Sequence, residues 1–221
     1  MCRFRMLTFG LILLAGAASA SAATLKSVFV PETLGSTVAY LEKSVGPAWR
    51  VQGPQRTYKI GVCRLDVTAP QGTIVALDAP VNAACNPDLG PFFANGPGTP
   101  AASLTFGQAA RLVGGEFRAD CLSMCGNAAD PVVYFYVGGF HANGFTDVLL
   151  STEQVADDVL NATQRWEQVM EKTEGQDFVV DGRFNCTLKY QPVAAKALGA
   201  VKITHVKVGA DLDPTPCDRP R

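Results

Sequence analysis

The stretch EFRADCLSMCGNAADPVVYFYV, residues 116–137, carries the pattern from which the fold is read. Phe117, Ala119 and Cys121 alternate with Glu116, Arg118 and Asp120, the period-two signature of a strand with one apolar and one polar face. Val132 to Val137 is apolar throughout, which predicts a central strand covered on both faces. Downstream, Phe145 to Leu150 reads as its antiparallel partner across the turn His141-Ala142-Asn143-Gly144. A helix is then predicted from Ser151 to about Thr173. Ser151 and Gln154 form a capping-box pair, and Val155, Val159, Ala162, Trp166 and Val169 trace one stripe. Gly175 closes it.

The same reading extends in both directions. Phe178 to Tyr190 is the longest alternation in the chain and predicts a strand. Pro192 to Leu198 is a short helix with Pro in its first turn and Gly199 behind it. Ala200 to Val208 is a last strand, in which His205 shares phase with Val201 and Ile203 and is read as a core histidine. Upstream, Leu34, Val38, Leu41 and Val45 make a helical stripe ended by Gly46-Pro47. Thr105 and Gln108 cap a helix running to Val113. Tyr58 to Val67 changes phase near Val62, which predicts one strand with a β-bulge, and Thr73 to Asp78 reads as its hairpin partner. The fold class is therefore α+β: an antiparallel sheet of about seven strands with one long and three shorter helices packed on it, stapled by disulfides.

Residues 1–22 read as a signal peptide. Arg3 and Arg5 precede a short apolar run, and Ala18-Ser19-Ala20 and Ala20-Ser21-Ala22 fit the cleavage pattern. The remaining chain divides into a helix–hairpin part (23–90), a Pro/Gly-rich linker (91–101) and a C-terminal α+β part (102–221). With 48% hydrophobic and 18% charged residues, the chain can bury a core. A net charge of -1 offers no electrostatic footprint for nucleic acid. No later apolar run is long enough to span a bilayer. The expected location is the periplasm or the medium.

Seven cysteines are present, and Cys2 leaves with the signal. An even set in an oxidising compartment predicts disulfides, and sequence alone does not choose the pairing. Locality favours Cys63–Cys85, Cys121–Cys125 and Cys186–Cys217. Cys121-x-x-x-Cys125 has neither the spacing of a redox pair nor the companion ligands of a zinc site, so no metal or cofactor is expected.

Catalytic motifs are absent: there is no G-x-S-x-G, no H-E-x-x-H and no phosphate-binding loop. Glu116 and Asp120 share a strand face, and Asp130 follows them. Two carboxylates about 5–10 Å apart can hydrolyse a glycoside, so a periplasmic hydrolase using these acids is one alternative. Outward charges that keep an edge strand soluble are the plainer reading. A small-ligand binder with a cleft at the linker is another alternative.

The segment Cys121 to Pro131 favours binding. A disulfide over this spacing would hold Leu122, Ser123 and Met124 as a rigid protrusion whose ordering entropy is already spent. Leu122 and Met124 are apolar where a loop tip is expected to be polar, while Asn127 and Asp130 shape the return. The binding residues read from sequence are thus Leu122, Ser123, Met124, Asn127 and Asp130. The opposite possibility is a stiff hairpin whose Leu122 and Met124 fold into the core.

This strand–loop–strand resembles the protruding disulfide loop of Ivy-type periplasmic lysozyme inhibitors, exported α+β proteins that plug the lysozyme cleft with that loop. The loop here is one residue shorter and lacks the basic or histidine residue that the inhibitors insert. The first helix, its Gly46-Pro47 stop and the following hairpin resemble BamE/SmpA-like modules of the bacterial envelope. Both resemblances imply a binding protein whose partner is a protein or another envelope macromolecule, acting as an inhibitor or accessory factor.

Overall fold

The computed structural model describes residues 23–93, 98–126, 131–139 and 146–215. The expected leader 1–22, the turn expected at His141, Asn127, Asp130 and Cys217 lie outside them. Among the described residues there are eight strands in one antiparallel sheet and six α-helices. The strands are β1 (Arg50–Gln52), β2 (Gln55–Ile60), β3 (Cys63–Thr68), β4 (Ala76–Pro80), β5 (Glu116–Ala119), β6 (Val132–Val137), β7 (Asp147–Glu153) and β8 (His205–Gly209). The helices are α1 (Leu25–Val28), α2 (Val38–Val45), α3 (Phe106–Val113), α4 (Asp157–Glu174), α5 (Gln176–Val180) and α6 (Gln191–Leu198). The strand order is β1-β2-β3-β4-β8-β7-β6-β5.

The last strand sits in the middle. β8 pairs with β4 through Leu77↔Val208 and with β7 through Leu150↔Val206. The parts 23–90 and 102–221 thus share one sheet. The Pro/Gly-rich stretch beside that seam is packed: Leu89, Phe92, Phe93 and Ala101 are buried. The Asp88 carboxylate accepts from the Gly90, Gly98 and Thr99 N–H groups. These backbone donors hold its pKa below the ordinary carboxylate value, against the opposing effect of burial.

One sheet face carries the core. Tyr58, Leu65, Val67, Leu77, Val206, Val208, Leu150, Phe135 and Phe117 all point into it. Helix α2 is tied to it where the Tyr58 hydroxyl donates to Glu42 at 3.1 Å. Trp166 of α4 is fully buried and meets the edge of Phe184, with ring centroids 5.2 Å apart. Between α3 and α6 the backbones touch: a Cβ on Gly107 would stand 2.7 Å from the Gly199 carbonyl oxygen.

Several sequence expectations are corrected. The change of phase near Val62 is a tight turn: Ile60 pairs with Cys63, Gly61 has φ +61° and Val62 projects into solvent. The apolar set switches there because the chain reverses, so one expected strand is two. Val132–Val137 alternates half-buried with buried, because helices cover only one face. The long helix starts at Asp157, since Ser151, Thr152 and Glu153 are paired in β7. Its buried stripe is Val159, Ala162, Thr163, Trp166 and Met170, while Val155 and Val169 are exposed.

The largest difference is the expected strand at 178–190, which folds as α5, a 3-10 turn at Arg183–Cys186 and a short turn into α6. Two side chains explain why this segment still lies along the sheet. The Asn185 carboxamide accepts from the Ala119 N–H (3.1 Å) and donates to its carbonyl (2.8 Å). Gln191 does the same with Phe117, at 2.6 and 2.9 Å. The outer edge of β5 is thus closed by side-chain amides in place of a further strand, which blunts an edge that could otherwise pair with another chain.

Cys63–Cys85 and Cys121–Cys125 are bonded, as locality favoured. Cys186 is also disulfide-bonded. No helix among the described residues is long and apolar enough to cross a membrane.

Candidate functional site

The Cys121–Cys125 loop leaves the end of β5 and returns into β6. At its base the Asp120 N–H donates to the Val132 carbonyl at 3.1 Å. Gln154 anchors it from β7's end, donating its backbone N–H to the Pro131 carbonyl and its side-chain amide to the Cys121 carbonyl, both at 2.8 Å. The ring then divides its side chains. Leu122 is half-buried and packs against the main core. Ser123 faces Glu167 of α4, whose carboxyl is raised above its ordinary pKa by burial, with Ser123 pulling the other way. Met124 is 75% exposed and has φ +54°. A non-glycine residue in the left-handed region costs of order 1–3 kcal/mol and persists where its surroundings dictate it; here the closed ring does so. Of the five residues read from sequence, Leu122 turns inward, Ser123 faces α4 and Met124 projects. Asn127 and Asp130 lie outside the described residues.

The sheet face away from the helices forms a second polar surface. A cross-strand row runs Thr57, Asp66, Asp78, Lys207, Leu149, Tyr136, Glu116. The segment 211–215 covers part of it over β5–β7: Leu212 is buried, and its N–H donates to Asp147 at 3.0 Å. Away from that cover, two hollows of about 290 and 320 Å³ share Asp78 and Lys207 as a common wall, the first reaching over β6 and β7 (Tyr134, Leu149, Ser151) and the second over β1–β3 (Arg50, Thr57, Asp66). Burial raises the Asp78 carboxyl above its ordinary pKa, against the opposing pull of Lys207 and His205. Asp66 beside it is held by Thr57 and Arg64, each at 2.6 Å. His205, read as a core histidine, is exposed on this face: the phase breaks at Thr204, and Val206 and Val208 point inward instead.

The expected acid pair does not converge on a common point. Glu116 is bound to Arg118 at 2.5 Å, and Arg118 is buried, 3.9 Å from Asp213 of the segment 211–215. Asp120 accepts from the Tyr134 hydroxyl at 2.9 Å. Burial, with Asp120 adding to it, raises that hydroxyl well above its ordinary pKa. The two acids therefore anchor neighbouring side chains. Arg118 was expected to face outward and does; it is buried where the segment around Asp213 returns to it, which no local pattern announces. Among the described residues no group of His, Cys, Asp and Glu could hold a metal ion.

No family model, curated protein or solved structure matches this chain.

Proposed function

We propose that the protein is exported and acts by binding another macromolecule of the envelope, as an inhibitor or accessory factor, through the Cys121–Cys125 loop. The observation that carries this reading is Met124, an apolar side chain left 75% exposed at the tip of a covalently closed ring. An exposed, flexible thioether on a rigid mount can fill an uneven pocket at little entropic cost. Leu122 and Gln154 brace the ring from below, so the tip is presented by the sheet itself. The leader at 1–22 and the bonded cysteines support export to an oxidising compartment.

The test compares the mature protein with its Met124→Asp variant as bait in envelope extract. A charge placed in a desolvated contact should abolish capture of the specific partner. Folding stability should stay within about 0.5 kcal/mol of wild type, as for other exposed positions. Equal capture by both baits removes the loop as the contact.

A further inference from the structure

The cleft between α4 and α6 carries a charge pattern that the described residues leave unanswered. It is an open hollow of about 690 Å³. Val169, Val193 and Ala197 supply its apolar surface, and Val169 is 41% exposed. Arg165 and Lys172 stand on one lip and Lys196 on the other, with no carboxylate in the lining. No acid stands three or four positions from any of these cations on its own helix, where an intrahelical pair would form. Among the described residues the ion pairs involve other side chains. Among the described residues Arg165 donates only to the Ala197 carbonyl, at 3.3 Å, across the cleft.

The segregation is selective. Helix α4 carries Asp157, Asp158, Glu167, Glu171 and Glu174, yet the charged residues on its cleft-facing side, Arg165 and Lys172, are both cations. Arg165 and Lys172 are two turns apart, about 10 Å along the axis. A single anionic headgroup is too compact to serve both of them and Lys196 across the cleft. Several negative charges spread along that length, with apolar groups between them, would answer all three. The geometry points to an acidic amphipathic peptide segment of a partner protein as the occupant, with its apolar residues on Val169 and Val193 and its carboxylates on the two lips. This surface is independent of the Met124 loop.

The test pans a random peptide library against the full mature chain. Acidic sequences with spaced apolar residues should be enriched. A selected peptide should lose on the order of tenfold in affinity for the Lys172→Glu/Lys196→Glu variant, and added salt should weaken its binding to wild type. Binding should be retained by Lys43→Glu on α2 and by Met124→Asp. Lys172→Gln/Lys196→Gln serves as the milder variant should the charge reversal disturb folding. Enrichment of neutral or basic peptides, no enrichment over bare support, or affinity unchanged by both double variants overturns the proposal. So does flotation with phosphatidylglycerol vesicles that needs these lysines while no peptide does.

Discussion

At the scale of single residues, Asp78 and Trp166 make opposite demands on the fold. Asp78 lies opposite Lys207 and beside Asp66, on a face deep enough for burial to raise its carboxyl pKa. The sign of the consequence follows from linkage. Well below the ordinary carboxylate range, folded and unfolded chains both hold the proton. As pH rises through that range the unfolded chain releases its proton first, so stability falls until the folded carboxyl has also ionised. Asp78→Asn should therefore match wild type in acid and exceed it in melting temperature near neutral pH. A variant less stable than wild type at neutral pH would show that Lys207 and His205 outweigh burial. Trp166 fills the space between α4 and the Phe184 ring with no exposed surface. Trp166→Ala should cost about 3–5 kcal/mol in denaturant unfolding, through lost contacts and the cavity left behind.

At the scale of elements, the edge of β5 is the most instructive. Asn185 and Gln191 each satisfy a backbone N–H and a carbonyl on that strand. Removing one carboxamide leaves a donor and an acceptor without a partner, at about 1–3 kcal/mol for a buried group. Asn185→Ala should cost that much, because Asn185 is buried. It should also speed hydrogen exchange at the Ala119 amide while leaving the β6–β7 ladder protected. Unchanged exchange at Ala119 would mean that the edge is closed by something else. The α3–α6 contact is equally local in cause. Gly107→Ala would drive its Cβ onto the backbone at Gly199, which has no flexible end to yield, so the helices must separate. The expected result is destabilisation, even though alanine favours a helix over glycine by roughly 1 kcal/mol elsewhere.

At the scale of the whole molecule, the placement of β8 decides how the chain holds together. Among the described residues β8 supplies the only ladder linking β4 to β7, so the N-terminal hairpins and the C-terminal sheet meet through it. A long sequence separation must be closed before that ladder rewards folding. The mature chain should unfold in one cooperative calorimetric transition, and a chain ending before His205 should lose that transition. Two separate transitions in the intact protein would mean that the two halves hold their structure independently.

What the sequence determined by itself is what depends on neighbours along the chain. The capping box of Thr105 and Gln108 is formed as read, with Gly114 at its helix end. The strand at 116–119 follows its alternation, and 132–137 is a strand as its residue types read, though only one of its faces is covered. Cys63–Cys85 and Cys121–Cys125 close short loops. Tertiary structure decided whatever depends on a partner distant in sequence. The alternation at 178–190 has a strand's period, yet its backbone bonds go to helix and turn while Asn185 lends only its side chain to β5. Ser151 could cap a helix, but pairing with both β6 and β8 satisfies its backbone more fully. His205 faces out because β8 had to match the phase of β4 and β7. In the loop, Leu122 and Met124 look alike in sequence, and their different fates follow from where the closed ring meets the core. The cations of the α4–α6 cleft are scattered along the chain and become one surface only when two helices pack side by side. Periodicity records which face a residue shares with its neighbours, whereas burial depends on what folds back to cover that face.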